Sequence, residues 1–287
     1  MTTSSYPRVF PAPTPISLSV KSRSGNIQVT AADVTETTVD IQPGKPGDTD
    51  AIEVIDRARV DHQENALRID ISRRGKGPSL LRDPSVNVRV TVPLSSAVSV
   101  QAGSADVVLT GGLGDVAAKT GSGDVIAESC ADVTIKTGSG DIRVDGATGA
   151  EANTGSGDIL VQHCSGRIGT DTGSGNIRID RAGDHTEAHT SSGDIEVGEV
   201  MAQLDSRTAS GDIRIRRAIE GDVAAKTASG DVTVGVATGT AAKLDCSSAS
   251  GRVRSDLEPA DAPAETDRTV LIAARAASGS ITIARAS

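Results

Sequence analysis

The sequence predicts an all-β chain: a flattened two-sheet parallel β-helix, or β-solenoid, with a mostly antiparallel β section capping its N-terminal end. Three observations predict it. The string KTGSGDV at 119–125 returns as KTGSGDI at 136–142, NTGSGDI at 153–159 and KTASGDV at 226–232. Each string runs into a period-two alternation of aliphatic and polar residues. The 287 residues include one Phe, one Tyr and no Trp against 31 Gly, so the core has to be built from Val, Ile, Leu and Ala. A compact globule of that length fills its centre with aromatics, whereas a solenoid needs one narrow layer per coil.

With the acid of S-G-D taken as position zero, Asp106, Asp124, Asp141, Asp158, Asn176, Asp194, Asp212 and Asp231 follow one another at spacings of 17 to 19 residues. Arg252 and Ser280 continue the series after longer gaps. A fixed period of this kind marks a repeat architecture. One residue past zero stands Val or Ile in every repeat, from Val107 and Val125 to Val253 and Ile281, and three past zero stands an aliphatic residue in all but one, Ser255. That alternation is a strand with one buried face. Eight before zero come Val116, Val133, Ile168, Leu204 and Val223, which predict a second strand facing the first. Each coil is therefore strand, tight corner, strand, looser corner, and the crossover rule for parallel strands favours a right-handed helix over a left-handed one.

The tight corner carries the candidate site residues. Gly123, Gly140, Gly157, Gly175, Gly193, Gly211 and Gly230 are read as structural turn residues that supply a positive φ without steric cost. Asp124, Asp141, Asp158, Asp194, Asp212 and Asp231 would line one edge at coil spacing. Like charges that close repel by about 1 kcal/mol even in water, so something offsets them. Either each carboxylate accepts hydrogen bonds from its own turn amides, helped by the Thr four residues earlier, or Ca²⁺ bridges the column. The capping reading is preferred, with no cofactor and no metal expected and the six Asp kept as cation candidates. A phosphate cradle would need a helix after the glycines, and none is predicted. The Thr column shares the parity of the buried positions, so it points inward and cannot form an ice-binding face.

The first hundred residues begin in the same register, since Leu18, Val20, Ser24-Gly25-Asn26, Ile27 and Val29 fit the template. The chain is read as a disordered Pro-rich tail over 1–15, an N-terminal β section over 16–95 with a repeat-like coil at 16–30, and a solenoid over 96–287. Alternating stretches at 38–41, 52–60, 67–72 and 86–92 fill the β section, and the turn-like DHQEN at 61–65 joins two of them as a hairpin. RRGKGPSLLRDPS at 73–85 reads as a mobile loop, and the acidic, Pro-rich 255–268 as an excursion before a last coil.

A net charge of −9 argues against nucleic acid and anionic membranes as partners. No apolar run reaches the ~18 residues of a membrane span, and the N-terminus has prolines where a signal peptide needs an apolar core. The expected location is cytoplasmic, with export by a route not visible in the sequence as the alternative. Three cysteines, an odd number, are read as free thiols, with Cys130 and Cys164 in looser corners and Cys246 facing the core. His163, His185 and His189 fall in different register positions and lack metal-ligand spacing. Outward columns carry a rough charge pattern: Arg143, Arg178, Arg214 and Arg254 two past zero, interleaved with Leu160, Glu196 and Thr233, and Glu151, Glu187, Asp205 and Asp245 seven before it. Solvated faces are the preferred reading of these columns, and lateral association of rods the alternative.

The lead-in VTVPLSSAVSVQAGSADVVLT at 90–110, the reiterated TGSGDI and the early KSRSGNIQV at 21–29 resemble the bacterial β-strand-repeat family of unknown function often labelled "putative adhesin". The likeness spans about residues 16–287 and implies a non-enzymatic, adhesin-like interaction or scaffold protein. A self-assembling cytoplasmic structural rod is the alternative, and the chain is expected either as a monomer or in lateral homo-association. A polysaccharide-acting β-helix enzyme is disfavoured, because the corners are short and the array has no aromatic to stack on sugar.

Overall fold

Val and Ile recur one residue after each turn acid because that position points into the gap between two facing sheets. Val125, Ile142, Ile159, Ile177, Ile195 and Ile213 are each at most 1% exposed. The computed structural model describes residues 6–71, 84–258 and 268–286, in two units, Met1–Arg143 and Val144–Ser287.

In chain order the first unit holds β1 (Arg8–Pro11), β2 (Ser17–Ser22), β3 (Gly25–Ala32), β4 (Glu36–Pro43), α1 (Thr49–Asp56), β5 (Arg59–Gln63), β6 (Ala66–Asp70), β7 (Val86–Pro93), β8 (Ala97–Ala102), β9 (Asp106–Leu113), β10 (Val116–Lys119) and β11 (Val125–Lys136). The coil β2–β3 stacks in parallel on β8–β9, with Leu18 beside Val98 and Ile27 beside Val107. Its other side is also taken by a coil, because β6 and β7 run parallel to β2 and β3 and set Leu67 beside Leu18 and Val88 beside Ile27. Beyond that coil the direction reverses: β4 lies antiparallel on β7, β5 on β6, and β1 on β4. The reversal covers the edge of the β6–β7 coil, the position where an open solenoid invites aggregation.

Three expectations for this region change. The stretch 52–60 is not one strand, since α1 occupies 49–56 and β5 begins at 59. Asp48 caps the helix by accepting from the Ala51 amide at 3.0 Å, and Ala51 and Ile55, one helical turn apart, are its buried residues. The Pro-rich tail is not wholly irregular: residues 8–11 form β1, whose partners in β4 satisfy its backbone, and residues 1–5 lie outside the described residues. The expected antiparallel section contains a parallel coil, β6–β7, in the solenoid register. The hairpin at DHQEN is present as β5–β6, with Glu64 in the left-handed region at φ 48°.

β12 (Ile142–Thr154) crosses the division. The second unit continues with β13 (Ile159–Cys164), β14 (Ile168–Thr172), β15 (Ile177–Ala182), β16 (His185–Ser192), β17 (Ile195–Val200), β18 (Gln203–Ser210), β19 (Ile213–Ala218), β20 (Gly221–Ser229), β21 (Val232–Val236), β22 (Thr240–Ser248), β23 (Val253–Ser255), β24 (Arg268–Ser278) and β25 (Ile281–Arg285). One sheet stacks Ala150, Ile168, Thr186, Leu204 and Val223 in register. The other stacks Ile159, Ile177, Ile195, Ile213 and Val232. Adjacent strands sit about 4.8 Å apart, so the backbone groups of paired strands find their partners in the coils on either side, with a register shift between Ile215 and Ala218 where β19 meets β21.

Sequence order and stacking order part company at the last coils. β24–β25 lies against β20–β21 on one side and β22–β23 on the other, so the last coil in the chain is inserted beneath the one before it. The series expected to run Asp231, Arg252, Ser280 runs Asp231, Ser280, Arg252 in space. The step over the inserted coil is made between β21 and β22 by residues 237–239, and the 255–268 excursion falls on the return from β23 to β24. Most of that excursion, and of the 73–85 loop, lies outside the described residues.

Candidate interaction face

The turn column is held together from one coil to the next. Asp124 accepts from the Asp141 amide at 2.9 Å, Asp158 from Asn176 at 2.7 Å, Asp194 from Asp212 at 2.8 Å, Asp212 from Asp231 at 2.8 Å and Asp231 from Ser280 at 2.7 Å. Asp141 donates its amide into this ladder. The expectation that each carboxylate accepts from its own turn is thus corrected: the donor belongs to the next coil. Asn176, without a charge, takes the same place and accepts from the Asp194 amide at 3.0 Å. Own-turn amides go instead to threonine. Thr120, Thr137, Thr154 and Thr172 accept from Gly123, Gly140, Gly157 and Gly175 at 3.0–3.1 Å. Thr172, Thr190 and Thr208 also donate to the Gly157, Gly175 and Gly193 carbonyls of the preceding coil at 3.0 Å. These hydroxyls are buried, as their parity predicts.

The turn glycines serve close approach more than φ. A Cβ on Gly123, Gly140, Gly175, Gly193, Gly211 or Gly230 would lie far inside van der Waals contact with a carbonyl oxygen of the preceding coil, and only Gly211 (φ 156°) and Gly230 (φ 144°) of the six have positive φ. Stacking at sheet spacing leaves no room for a side chain there. Among the described residues no group of three or more His, Cys, Asp or Glu side chains is placed to hold a metal ion.

The outer face of the sheet formed by β15, β17, β19, β21 and β25 carries a different arrangement. Two residues past the turn acid, Arg178, Glu196 and Arg214 are register partners in successive coils. Five past it, so are Arg181, Glu199 and Arg217. Asp180 lies 3.0 Å from Arg178 and 3.5 Å from Arg216, and Glu196 lies 3.7 Å and 3.3 Å from the same two arginines, which closes a ring of four side chains. Glu199 sits between Arg181 at 3.2 Å and Arg217 at 3.5 Å. Arg216 reaches Asp180 across the intervening β17 because the residue beneath it is Gly198, whose Cβ would stand 2.7 Å from the Arg216 Nη2.

Guanidiniums outnumber carboxylates on this face. Arg214 has no partner among the described residues, and Arg285 donates to the Ala237 and Thr240 carbonyls at 3.0 and 2.9 Å rather than to an acid. The acids also lie deeper: Asp180, Glu196 and Glu199 keep 30–35% of their side-chain surface, against 49–57% for Arg178, Arg181, Arg216 and Arg217. A groove of about 620 Å³ is lined by these residues, with Gly198, Gly235 and Ala284 four past zero, Arg214 and Thr233 two past it and Arg181 and Arg217 five past it.

The opposite sheet of the second unit pairs its charges locally. Arg207 holds Asp205, and Glu187 holds His185 at 2.9 Å and Arg167 at 3.2 Å. The Glu187 carboxylate raises the His185 pKa above the ordinary imidazole value, and the same hydrogen bond lowers that of Glu187. All three thiols are free. Cys130 and Cys164 are buried, and burial pushes the Cys130 pKa up to about 11. Cys246 is half-buried rather than enclosed, because its strand β22 belongs to the coil that ends the stack. Of the features on this face, the column two past zero was legible in the sequence. Asp180, Arg181, Glu199, Arg216, Arg217 and Arg285 were not singled out, although their recurrence four and five past zero is the signal that could have found them.

Parallel coils closed by short corners, with an open sheet on each side of a thin aliphatic core, define an all-β repeat protein of the solenoid class. The chain belongs to the Toastrack DUF4097 family, whose model matches residues 16–215 and 186–287. No curated protein matches it. Among solved structures it is similar to a "putative adhesin" from Bacteroides fragilis NCTC 9343, at 16% identity, covering 97% of this chain and 96% of that one, with a TM-score of 0.44. It is similar also to a "putative adhesin" from Parabacteroides distasonis ATCC 8503, at 11% identity, 96% coverage of each chain and a TM-score of 0.46. A "putative lipid binding protein" from the same organism shares 14% identity over 97% of this chain and 96% of that one, with a TM-score of 0.33. Among the described residues no helix is long and apolar enough to cross a membrane, which says nothing of a β-barrel.

Proposed function

We propose that the chain is a non-enzymatic, adhesin-like interaction scaffold whose binding surface is the arginine-lined outer face of β15, β17, β19 and β21. One observation carries this reading: guanidiniums outnumber and overlie the carboxylates along a groove, in a chain whose net charge is −9. A protein field that is negative on the whole and positive at one groove selects where a partner docks. The turn column supports a structural role for its aspartates, because Asn176 does the same work without charge. No metal or cofactor enters the reading.

The test is co-sedimentation of purified protein with bacterial cell envelopes. Wild type is expected in the pellet, Arg214→Glu/Arg217→Glu in the supernatant, and Arg207→Glu on the opposite sheet in the pellet. Equal behaviour of the three proteins overturns the reading. The fraction that holds the native protein in its own cell, soluble or envelope, separates a cytoplasmic scaffold from an exported adhesin.

Self-association is favoured by a second observation. Among the described residues β22 pairs only with β24 and β23 only with β25, and Leu244 and Val253 are 37% and 48% exposed although they occupy core positions. An antiparallel pairing of β22 with a second copy about Leu244 sets Lys243 opposite Asp245, which also pairs with Arg275. Sedimentation velocity over a concentration series is then expected to show a dimer that Leu244→Glu abolishes, and a strict monomer overturns it.

A further inference from the structure

Resting on the arginine face as the binding surface, we infer that its groove takes an acidic oligosaccharide, a short run of sugars bearing carboxylates. Four features point there. The first is donor supply. A guanidinium has five N–H donors, and Arg178, Arg181, Arg216 and Arg217 spend only part of their sets on Asp180, Glu196 or Glu199, while Arg214 spends none on a partner among the described residues. These side chains already bind carboxylates, so a ligand carboxylate meets chemistry the face is using.

The second is length. Cationic groups recur from Arg181 on β15 through Arg214 and Arg217 on β19 to Arg285 on β25. Four strand steps at about 4.8 Å make a track of roughly 19 Å, too long for a single anion and suited to a chain with several charges. The third is the floor. Past Arg216, which lies across Gly198, the residues Gly235 and Ala284 present nothing larger than a methyl group, a small flat patch that accepts the C–H face of a sugar ring. The fourth sets nucleic acid apart: the second unit contains no aromatic residue on which a base could stack.

Binding of a hexamer of galacturonate to the full-length protein by calorimetry at low salt tests this, with maltohexaose and a single-stranded deoxynucleotide hexamer as comparisons. The galacturonate is expected to bind, the neutral sugar not, and the nucleotide at least about tenfold more weakly, with affinity falling as salt rises. Arg214→Gln removes an unpartnered guanidinium and is expected to weaken binding about tenfold at unchanged melting temperature. Thr233→Glu places a carboxylate at the register partner of Arg214, so it should silence that group from within the fold and weaken binding by a similar factor. Equal affinity for the nucleotide, no binding of the galacturonate, or full affinity in both variants overturns the inference. If the galacturonate fails while the Arg214→Glu/Arg217→Glu protein still loses its envelope binding, the ligand class is wrong and the face stands. If envelope binding is also untouched, the face is wrong.

Discussion

At Asp212 one acceptor oxygen ties two coils together, since it receives the Asp231 amide while its own amide goes to Asp194. What the position needs is an oxygen, and Asn176 shows that charge is dispensable. Asp212→Asn should therefore leave stability unchanged in urea denaturation, and Asp212→Ala should cost about 1 kcal/mol, the usual net worth of such a bond. Neither Ca²⁺ nor EDTA should shift the melting temperature of either protein. Thr186 makes the opposite case. It stands in the core column between Ile168 and Leu204, is fully buried, and its hydroxyl has no hydrogen-bond partner among the described residues. Thr186→Val keeps the shape and removes the unsatisfied group, so it should stabilise the protein by about 1–3 kcal/mol in the same denaturation. At the surface, His185 should titrate above the ordinary imidazole value by NMR, and Glu187→Gln should bring it back down. The signs follow from the pair. His185, its pKa raised, contributes below the ordinary imidazole pKa and loses its share as pH rises through its folded value. Glu187, its pKa lowered, contributes above the ordinary carboxylate pKa and loses its share as pH falls through its folded value.

Single coils were legible because the T-x-S-G-D corner and the alternation after it repeat one local problem: turn, then bury every second residue. The order in which coils stack was not. Ile281 fits beside Val232 as well as Val253 would, since every coil presents the same aliphatic edge, and the connections alone decide which coil is inserted beneath which. α1 was hidden for a related reason: A-I-E-V-I satisfies both a period of two and a period near four, and the Asp48 cap breaks the tie. Stacking order has a chemical consequence. Because β22 lies at the end of the stack, its Cys246 should react with a thiol reagent in the native state while Cys130 and Cys164 react only on unfolding, as mass spectrometry of a timed labelling series would show. Burial raises the Cys246 pKa as well, so the labelling should be slow at neutral pH and speed up as pH rises.

Across the whole molecule, the two units use the same coil for different ends. In the first, antiparallel strands β1, β4 and β5 occupy the edge of the β6–β7 coil. In the second, the regular register lines up charges on an outer sheet face until arginine exceeds acid along a groove. The Arg column two past the turn acid was visible in the sequence. The network around it was not, because it depends on Arg216 crossing a whole coil over Gly198, a contact between residues 36 positions apart in the chain. If partners are met on that face, hydrogen–deuterium exchange on the protein free and bound to envelopes will show new protection in β15, β17, β19 and β21, with β14, β16, β18 and β20 unchanged. Protection confined to the opposite sheet or to the Thr-Ser-Gly-Asp corners would contradict it.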